Sequence, residues 1–214
     1  MTRAARAGTP AAMPVTLEKL LVLASASPRR RDLLAAAGVA FEVRPADVPE
    51  QALPGETPRA LVERLAADKA LHVARTLAGG PARLVLGADT VVVLDGEALG
   101  KPDDEAHAFT LLRRLLGRMH RVVTGVALVE SGSSAPRIFS VESEVHMRAG
   151  SDSEIRAYVA TGEPLDKAGA YAAQGEGRRF IERIVGSESN VIGLPLEETL
   201  ALLRAVGLVV SRPA

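Results

Sequence analysis

The sequence predicts an α/β fold built on a mixed rather than purely parallel sheet. Two observations carry this. Strand-like apolar runs alternate with helix-period segments in the first part of the chain, and hairpin signals dominate its middle. Period counting leaves the strand order open.

The elements follow in order. Leu20 to Ala24 is a short apolar run suited to a buried strand, and a helix from Arg31 ends on Gly38. Ser27 and Pro28 mark that helix start: the hydroxyl is expected to cap a free backbone N–H, and Pro suits the first helical position. Val39 to Val43 reads as a strand and Ala46 to Thr57 as a Pro-rich loop. Pro58 to Leu77 is an amphipathic helix stopped by Gly79, Gly80 and Pro81. Leu84 to Ala88 and Val91 to Leu94 form a long strand pattern, interrupted at Asp89 and Thr90. Asp95 and Gly96 match a two-residue hairpin turn, with Glu97 to Leu99 returning. Asp103 to Leu116 is a helix with acidic residues in its first turn and Gly117 at its end. Arg121 to Glu130 and Arg137 to Met147 form a second hairpin. Ser151 to Ala160 is a helix with capping-box spacing between Ser151 and Glu154. A Gly- and Ala-rich loop, Thr161 to Gln174, precedes a strand, Phe180 to Val185, and a last helix, Leu196 to Val206.

The chain has 214 residues, enough to bury a full core as one compact unit. Its 26 basic and 26 acidic side chains cancel, so no overall basic field exists to hold a polymeric nucleic acid by counterion release. An anion must be met by a local cluster. The absence of cysteine removes disulfides, thiolate metal sites and cysteine nucleophiles. No apolar segment reaches spanning length and no signal-like run follows the first arginines, which predicts a soluble, cytoplasmic protein with no membrane partner. Residues 1–16 lack periodicity and are expected to be a flexible extension.

Four places break local rules. Arg29, Arg30 and Arg31 stand in the first turn of a helix, where the dipole disfavours each cation by roughly 0.3–1 kcal/mol, and Asp32 relieves only part of this. An anion, phosphate by preference, held there with Ser25 and Ser27 would explain them; a solvated basic turn is the competing reading. Asp89 lies in an otherwise apolar strand, where an unpaired carboxylate costs several kcal/mol. A metal or strong hydrogen-bond partner removes that cost, and a strand-end turn capped by Thr90 is the alternative. Gly87 and Ala88 favour the functional reading, as small residues that let a ligand approach the backbone. Lys101, in GKP, reads in isolation as an ordinary exposed lysine. The stretch EPLDKAGAYAAQG, from Glu163 to Gly175, suits either a binding loop or a surface loop, with Gln174 able to offer donor and acceptor to a base edge. His72, His107, His120 and His146 are scattered without zinc-ligand spacing, and no Walker or dinucleotide fingerprint is present.

Together LASASPRRRDLL, RLAADKA, GADTVV, GKP, EPLDKAGAYAAQG and GSESNVIGLPL resemble the Maf family of nucleoside triphosphate pyrophosphatases, over nearly the whole chain. The resemblance implies one domain over residues 17–214, an elongated mixed sheet with two lobes around a central cleft, similar to inosine triphosphatase, and a homodimer. It implies cleavage of the α–β phosphoanhydride bond of a nucleoside triphosphate with a divalent cation, Mg2+ or in its place Mn2+. Asp89 would be the acid-base residue and a metal ligand, with Glu50 as its companion carboxylate. Ser25, Ser27, Arg29, Arg30, Lys69 and Lys101 would bind the triphosphate, and Thr90 and Gln174 would stand near base or sugar. Arg29, Asp166, Lys167, Tyr171 and Gln174 match the form acting on dTTP and UTP, with CTP or modified pyrimidines as further substrates. A nonenzymatic nucleotide-binding regulator of septum formation and a purine-type pyrophosphatase are the rival readings.

Overall fold

The computed structural model describes residues 20–208, so the expected extension over residues 1–16 lies outside the described residues. Its strands are β1 Leu20–Leu23, β2 Phe41–Val43, β3 Arg83–Leu94, β4 Glu97–Leu99, β5 Met119–Glu130, β6 Arg137–Met147 and β7 Ile181–Val185. Its helices are α1 Pro28–Ala36, α2 Pro58–Thr76, α3 Glu105–Leu115, α4 Asp152–Val159, α5 Glu188–Ile192 and α6 Leu196–Ala205. Short helix α5 carries no apolar period and was not anticipated; the Gly-rich loop folds into 3-10 turns at Glu163–Asp166, Ala168–Ala170 and Gly175–Phe180.

Local chemistry accounts for most boundaries. Thr57 accepts from the Ala60 N–H and Pro58 opens α2, while Ser151 and Glu154 close a capping box on α4. Asp95 and Gly96 both take positive φ, 53° and 84°, as a type I′ hairpin demands. Ser27 departs from expectation: it occupies the N-cap of α1, but its hydroxyl makes no capping hydrogen bond.

The seven-stranded sheet runs β2-β1-β3-β5-β6-β7, with β4 also on β3. β1 pairs parallel with β2 and β3, and the remaining pairs are antiparallel, which makes the sheet mixed as predicted. The predicted interruption at Asp89 and Thr90 does not occur. β5 pairs with β3 continuously from Leu84 to Val93, and that ladder carries the strand through both polar residues. The other edge of β3 is divided. β1 covers Arg83 to Leu86 and β4 covers Val92 to Leu94, leaving Gly87 to Val91 with no partner strand on that side among the described residues.

Side-chain alternation along β3 and β5 sends the two faces to different partners. On one face Val85, Ala127 and Val129 pack with Ala66, Ala70, Val73 and Ala74 of α2. On the other, Leu86, Ala88, Val126 and Leu128 pack with Leu34 and Leu203, and Val92, Leu94 and Val122 pack with Leu112, Leu115 and Ile155. Thr90 and Thr124 fall between these two cores, so this face forms two apolar bodies around a polar seam.

α2 lies close on the sheet because Gly87 and Gly125 have no side chain. A Cβ on Gly87 would stand 2.2 Å from Ala66 O and 2.8 Å from Ala70 N; one on Gly125 would stand 2.3 Å from Val62 O. The room at Gly87 is therefore taken by helix backbone and not by a ligand, which corrects the sequence expectation. Gly87→Ala must push α2 off β3. It is expected to cost about 1–3 kcal/mol in urea unfolding, with activity falling as Lys69 of α2 moves; an unchanged unfolding midpoint would contradict the close approach.

Candidate active site

The unpaired stretch of β3 forms the floor of a cleft of about 540 Å³, within the range of about 300–1,000 Å³ usual for small-ligand sites. The β1–α1 turn forms one wall, with Ala24 to Arg30; Lys101, Asp166 to Ala168 and Tyr171 to Ala173 form another. Arg29, Arg30, Lys69, Lys101 and Lys167 face it against only Glu50, Asp89 and Asp166. A chain of zero net charge thus concentrates positive charge where an anion can enter.

Asp89 points to the α2 face, where the buried Lys69 Nζ donates to its Oδ1 at 2.6 Å. The same ammonium lies 2.5 Å from Oε1 of Glu50, which reaches in from the loop before α2. Lys101 Nζ stands 3.9 Å from Oε2 of Glu50. Burial pushes the Glu50 carboxyl up, but the Lys69 hydrogen bond and charge, with Lys101 and Arg30, hold it below the usual carboxylate range. The cost of placing Asp89 in a strand is thus met by a lysine.

Arg30 is buried, and burial lowers its pKa, with Asp89 opposing and Arg29 adding to the effect. Its guanidinium is spread over three protein acceptors: Nε donates to Gly193 O at 2.8 Å, Nη1 to Ser25 Oγ at 3.1 Å and Nη2 to Thr90 Oγ1 at 3.0 Å. Part of the charge that the sequence reading reserved for phosphate is met by the protein itself. Ser25 is buried and also accepts from the Ser27 N–H at 3.2 Å, while the Ser27 side chain, free of capping, lines the cleft. Arg29 reaches across the mouth to Asp166, with Nη1 3.2 Å from Oδ2. Lys167 Nζ donates to Asp166 Oδ1 at 2.5 Å and to Glu163 O at 2.6 Å.

Ser25, Ser27, Arg29, Arg30, Glu50, Lys69, Asp89, Thr90 and Lys101 therefore meet in one cleft. Gln174 does not: the part of the lining drawn from its loop ends at Ala173, and Gln174 is exposed. The sequence reading missed Gly193, whose carbonyl receives Arg30. No side-chain pattern marks a backbone acceptor. Its only signal was the quoted segment GSESNVIGLPL.

The Maf-like protein family profile matches residues 20–206. The chain belongs to the Maf family. Among Maf relatives, the dTTP/UTP pyrophosphatase of Anaeromyxobacter dehalogenans is 53% identical over 189 residues, covering 87% of this chain and 94% of its own. That of Geobacter sulfurreducens is 50% identical over 187 residues, covering 87% and 96%. That of Syntrophomonas wolfei is 45% identical over 190 residues, covering 89% and 99%. A crystal structure of a nucleoside-triphosphatase / dITP/XTP pyrophosphatase from Mycobacterium abscessus aligns over 87% of this chain and 97% of its own, at 17% identity and a TM-score of 0.38.

Within this Maf cleft, Tyr171 is fixed from behind. Gly169 and Ala170 both take left-handed φ, 68° and 59°, and the Tyr171 hydroxyl then meets the buried His120 Nε2 at 2.7 Å. Burial, with His146 nearby, lowers the His120 pKa to about 4. Neutral His120 is thus favoured in the folded state, while the unfolded chain takes up its proton near the ordinary value of about 6.5. Stability is fully present above pH 6.5 and falls as the pH drops towards 4, by up to about 3 kcal/mol. Melting temperatures from pH 7 to pH 4 should fall less steeply for His120→Asn than for wild type; parallel curves would contradict a neutral buried imidazole.

Proposed function

We propose that this protein hydrolyses dTTP and UTP, with CTP or modified pyrimidine nucleotides as further substrates, to the nucleoside monophosphate and diphosphate. The observation that carries the reading is Asp89 on the open edge of β3, held by Lys69 beside Glu50 and facing a cation-lined cleft. The names of the Maf relatives support the same substrates.

In this reading Asp89 accepts the proton of a water whose oxygen attacks the α-phosphorus. The bond from that phosphorus to the bridging oxygen breaks, and diphosphate leaves with the electron pair. Arg29, Lys101 and the Ser27 hydroxyl receive the phosphate oxygens; Lys69 and Arg30 fix the floor, with Thr90 beneath sugar or base. Charge that builds on the leaving diphosphate meets cations already in place, which is how such transfers gain most of their rate.

Glu50 and Asp89 would hold a divalent cation. Among the described residues no cluster of three or more metal-ligating side chains exists. Two carboxylates suit Mg2+, which takes one or two such ligands and completes its shell with water and substrate phosphates. When bound it would neutralise phosphate charge, and Mn2+ is expected to substitute. No described helix is long and apolar enough to cross a membrane; cytoplasmic action as a homodimer, with residues 17–214 as one catalytic domain, completes the proposal.

The test is a panel of dTTP, UTP, CTP, methylated GTP and ITP with purified protein and Mg2+. Diphosphate release led by dTTP and UTP is expected. No diphosphate from any of them would remove the enzymatic reading, and preference for ITP would point to a purine pyrophosphatase.

A further inference from the structure

Thr124 is fully buried in the middle of β5 and does not line the cleft. Its hydroxyl lies 3.0 Å from Thr90 Oγ1, across the β3–β5 ladder that pairs these two residues, and donates to Asn190 O at 3.1 Å. A guanidinium only donates, a carbonyl only accepts, and Thr124 gives its one proton to Asn190 O, so Thr90 is the donor between the two threonines. Arg30 Nη2 donates to Thr90, Thr90 donates to Thr124, and Thr124 donates to the backbone of α5. The other acceptor near Thr90, Gly193 O, stands farther away at 3.4 Å.

The chain closes on itself. Asn190 is buried and pins α5 to the sheet, its Nδ2 donating to Val122 O and to Ser143 Oγ, each at 3.0 Å. Gly193, directly after α5, accepts from Arg30 Nε at 2.8 Å. Arg30, Thr90, Thr124, Asn190 and Gly193 therefore form a hydrogen-bonded circuit through α1, β3, β5 and α5. It occupies the polar seam between the two apolar cores, and Thr90 directly follows Asp89 in the strand.

We infer that Thr124 is a positioning residue for the pyrophosphatase reaction, setting the Thr90 hydroxyl and through it the aim of Arg30 beside Asp89. The inference rests on the proposed function of this cleft. Apolar packing on either side of the seam supplies most of the local stability. What the Thr124 hydroxyl adds is direction: without it, Thr90 is free to turn its proton to Gly193 O, the acceptor of Arg30 Nε, and so to re-aim the lone pair that meets Arg30 Nη2. Errors of about 1 Å in such groups cost up to about 10²-fold in rate.

The test compares wild type, Thr124→Val, Thr124→Ser, Thr90→Val and the double Val variant, by kcat and KM on dTTP with Mg2+ and by thermal melting. Thr124→Val is expected to lower kcat/KM by about 10- to 100-fold, mostly through kcat, at a temperature where the protein is folded. Thr124→Ser keeps the hydroxyl and should stay close to wild type. The double variant should lose no more than the larger single loss, because both break one chain. If Thr124→Val does not fold, Thr124→Ala deletes the same hydroxyl with less crowding and is read in its place. Wild-type kcat/KM in a folded hydroxyl-less variant, failure of Ser to restore activity, or multiplicative losses in the double variant would each overturn the inference. If wild type itself released no diphosphate, the proposed function would fall instead.

Discussion

Asp89→Asn is expected to lower kcat/KM for diphosphate release by about 10²–10⁴-fold, the usual contribution of a positioned proton acceptor, with the melting temperature little changed. The substitution is nearly isosteric. Its amide oxygen can still accept from Lys69 Nζ, which now stands 2.6 Å from Asp89 Oδ1, and Lys69 retains Glu50 as an ion partner. The change removes a negative charge, the capacity to take a proton and one of the two carboxylates that would hold the divalent cation. At saturating Mg2+ the less negative floor is expected to bind dTTP as well as wild type or better, so the loss should appear in kcat. Calorimetric titration with the nucleotide, together with initial rates, separates the two. Undiminished kcat in Asp89→Asn would transfer the proton-accepting role to another group. A loss fully explained by unfolding would show only that the strand needs the ion pair.

How far this site could be read from sequence depends on how far apart its partners lie. The basic turn at Arg29 and Arg30 was visible because helix electrostatics is local, and the Asp95–Gly96 hairpin and the Ser151–Glu154 capping box were visible for the same reason. Asp89 was equally consistent with a turn and a site. The residue that decides between them, Lys69, lies on α2, and only the close approach at Gly87 and Gly125 brings it there. The unbroken course of β3 depends on pairing with β5, a contact that no window around Asp89 contains. Arg30 was legible as misplaced charge, but not as a strut, because its acceptors include the backbone carbonyl of Gly193. The mixed sheet followed from element order; the split edge of β3, which makes the cleft, did not, since period counting says nothing of strand order.

Lys69→Met carries the second large expected effect, and its cause differs from that of Asp89→Asn. Lys69 holds Glu50 and Asp89 at 2.5 and 2.6 Å from a single nitrogen. Without the ammonium, two carboxylates face one another across about 5 Å or less, inside the ~4–6 Å over which like charges disfavour ionisation. Glu50 also loses the hydrogen bond and charge that hold its carboxyl low. Glu50 should then keep its proton to higher pH. In wild type, the stabilisation from the depressed Glu50 is present above its unfolded value and is lost as the pH falls through the folded one. In Lys69→Met that contribution disappears and the acid limb of kcat/KM moves upward, with activity at pH 7 reduced by about 10²-fold or more. Adding Glu50→Gln to Lys69→Met removes the like charge, so the acid limb should move back towards wild type even though activity stays low. A simple loss of phosphate binding at Lys69 would lower activity at every pH alike and leave the limb in place in both variants, and that outcome would show that Lys69 serves the substrate and not the carboxylates.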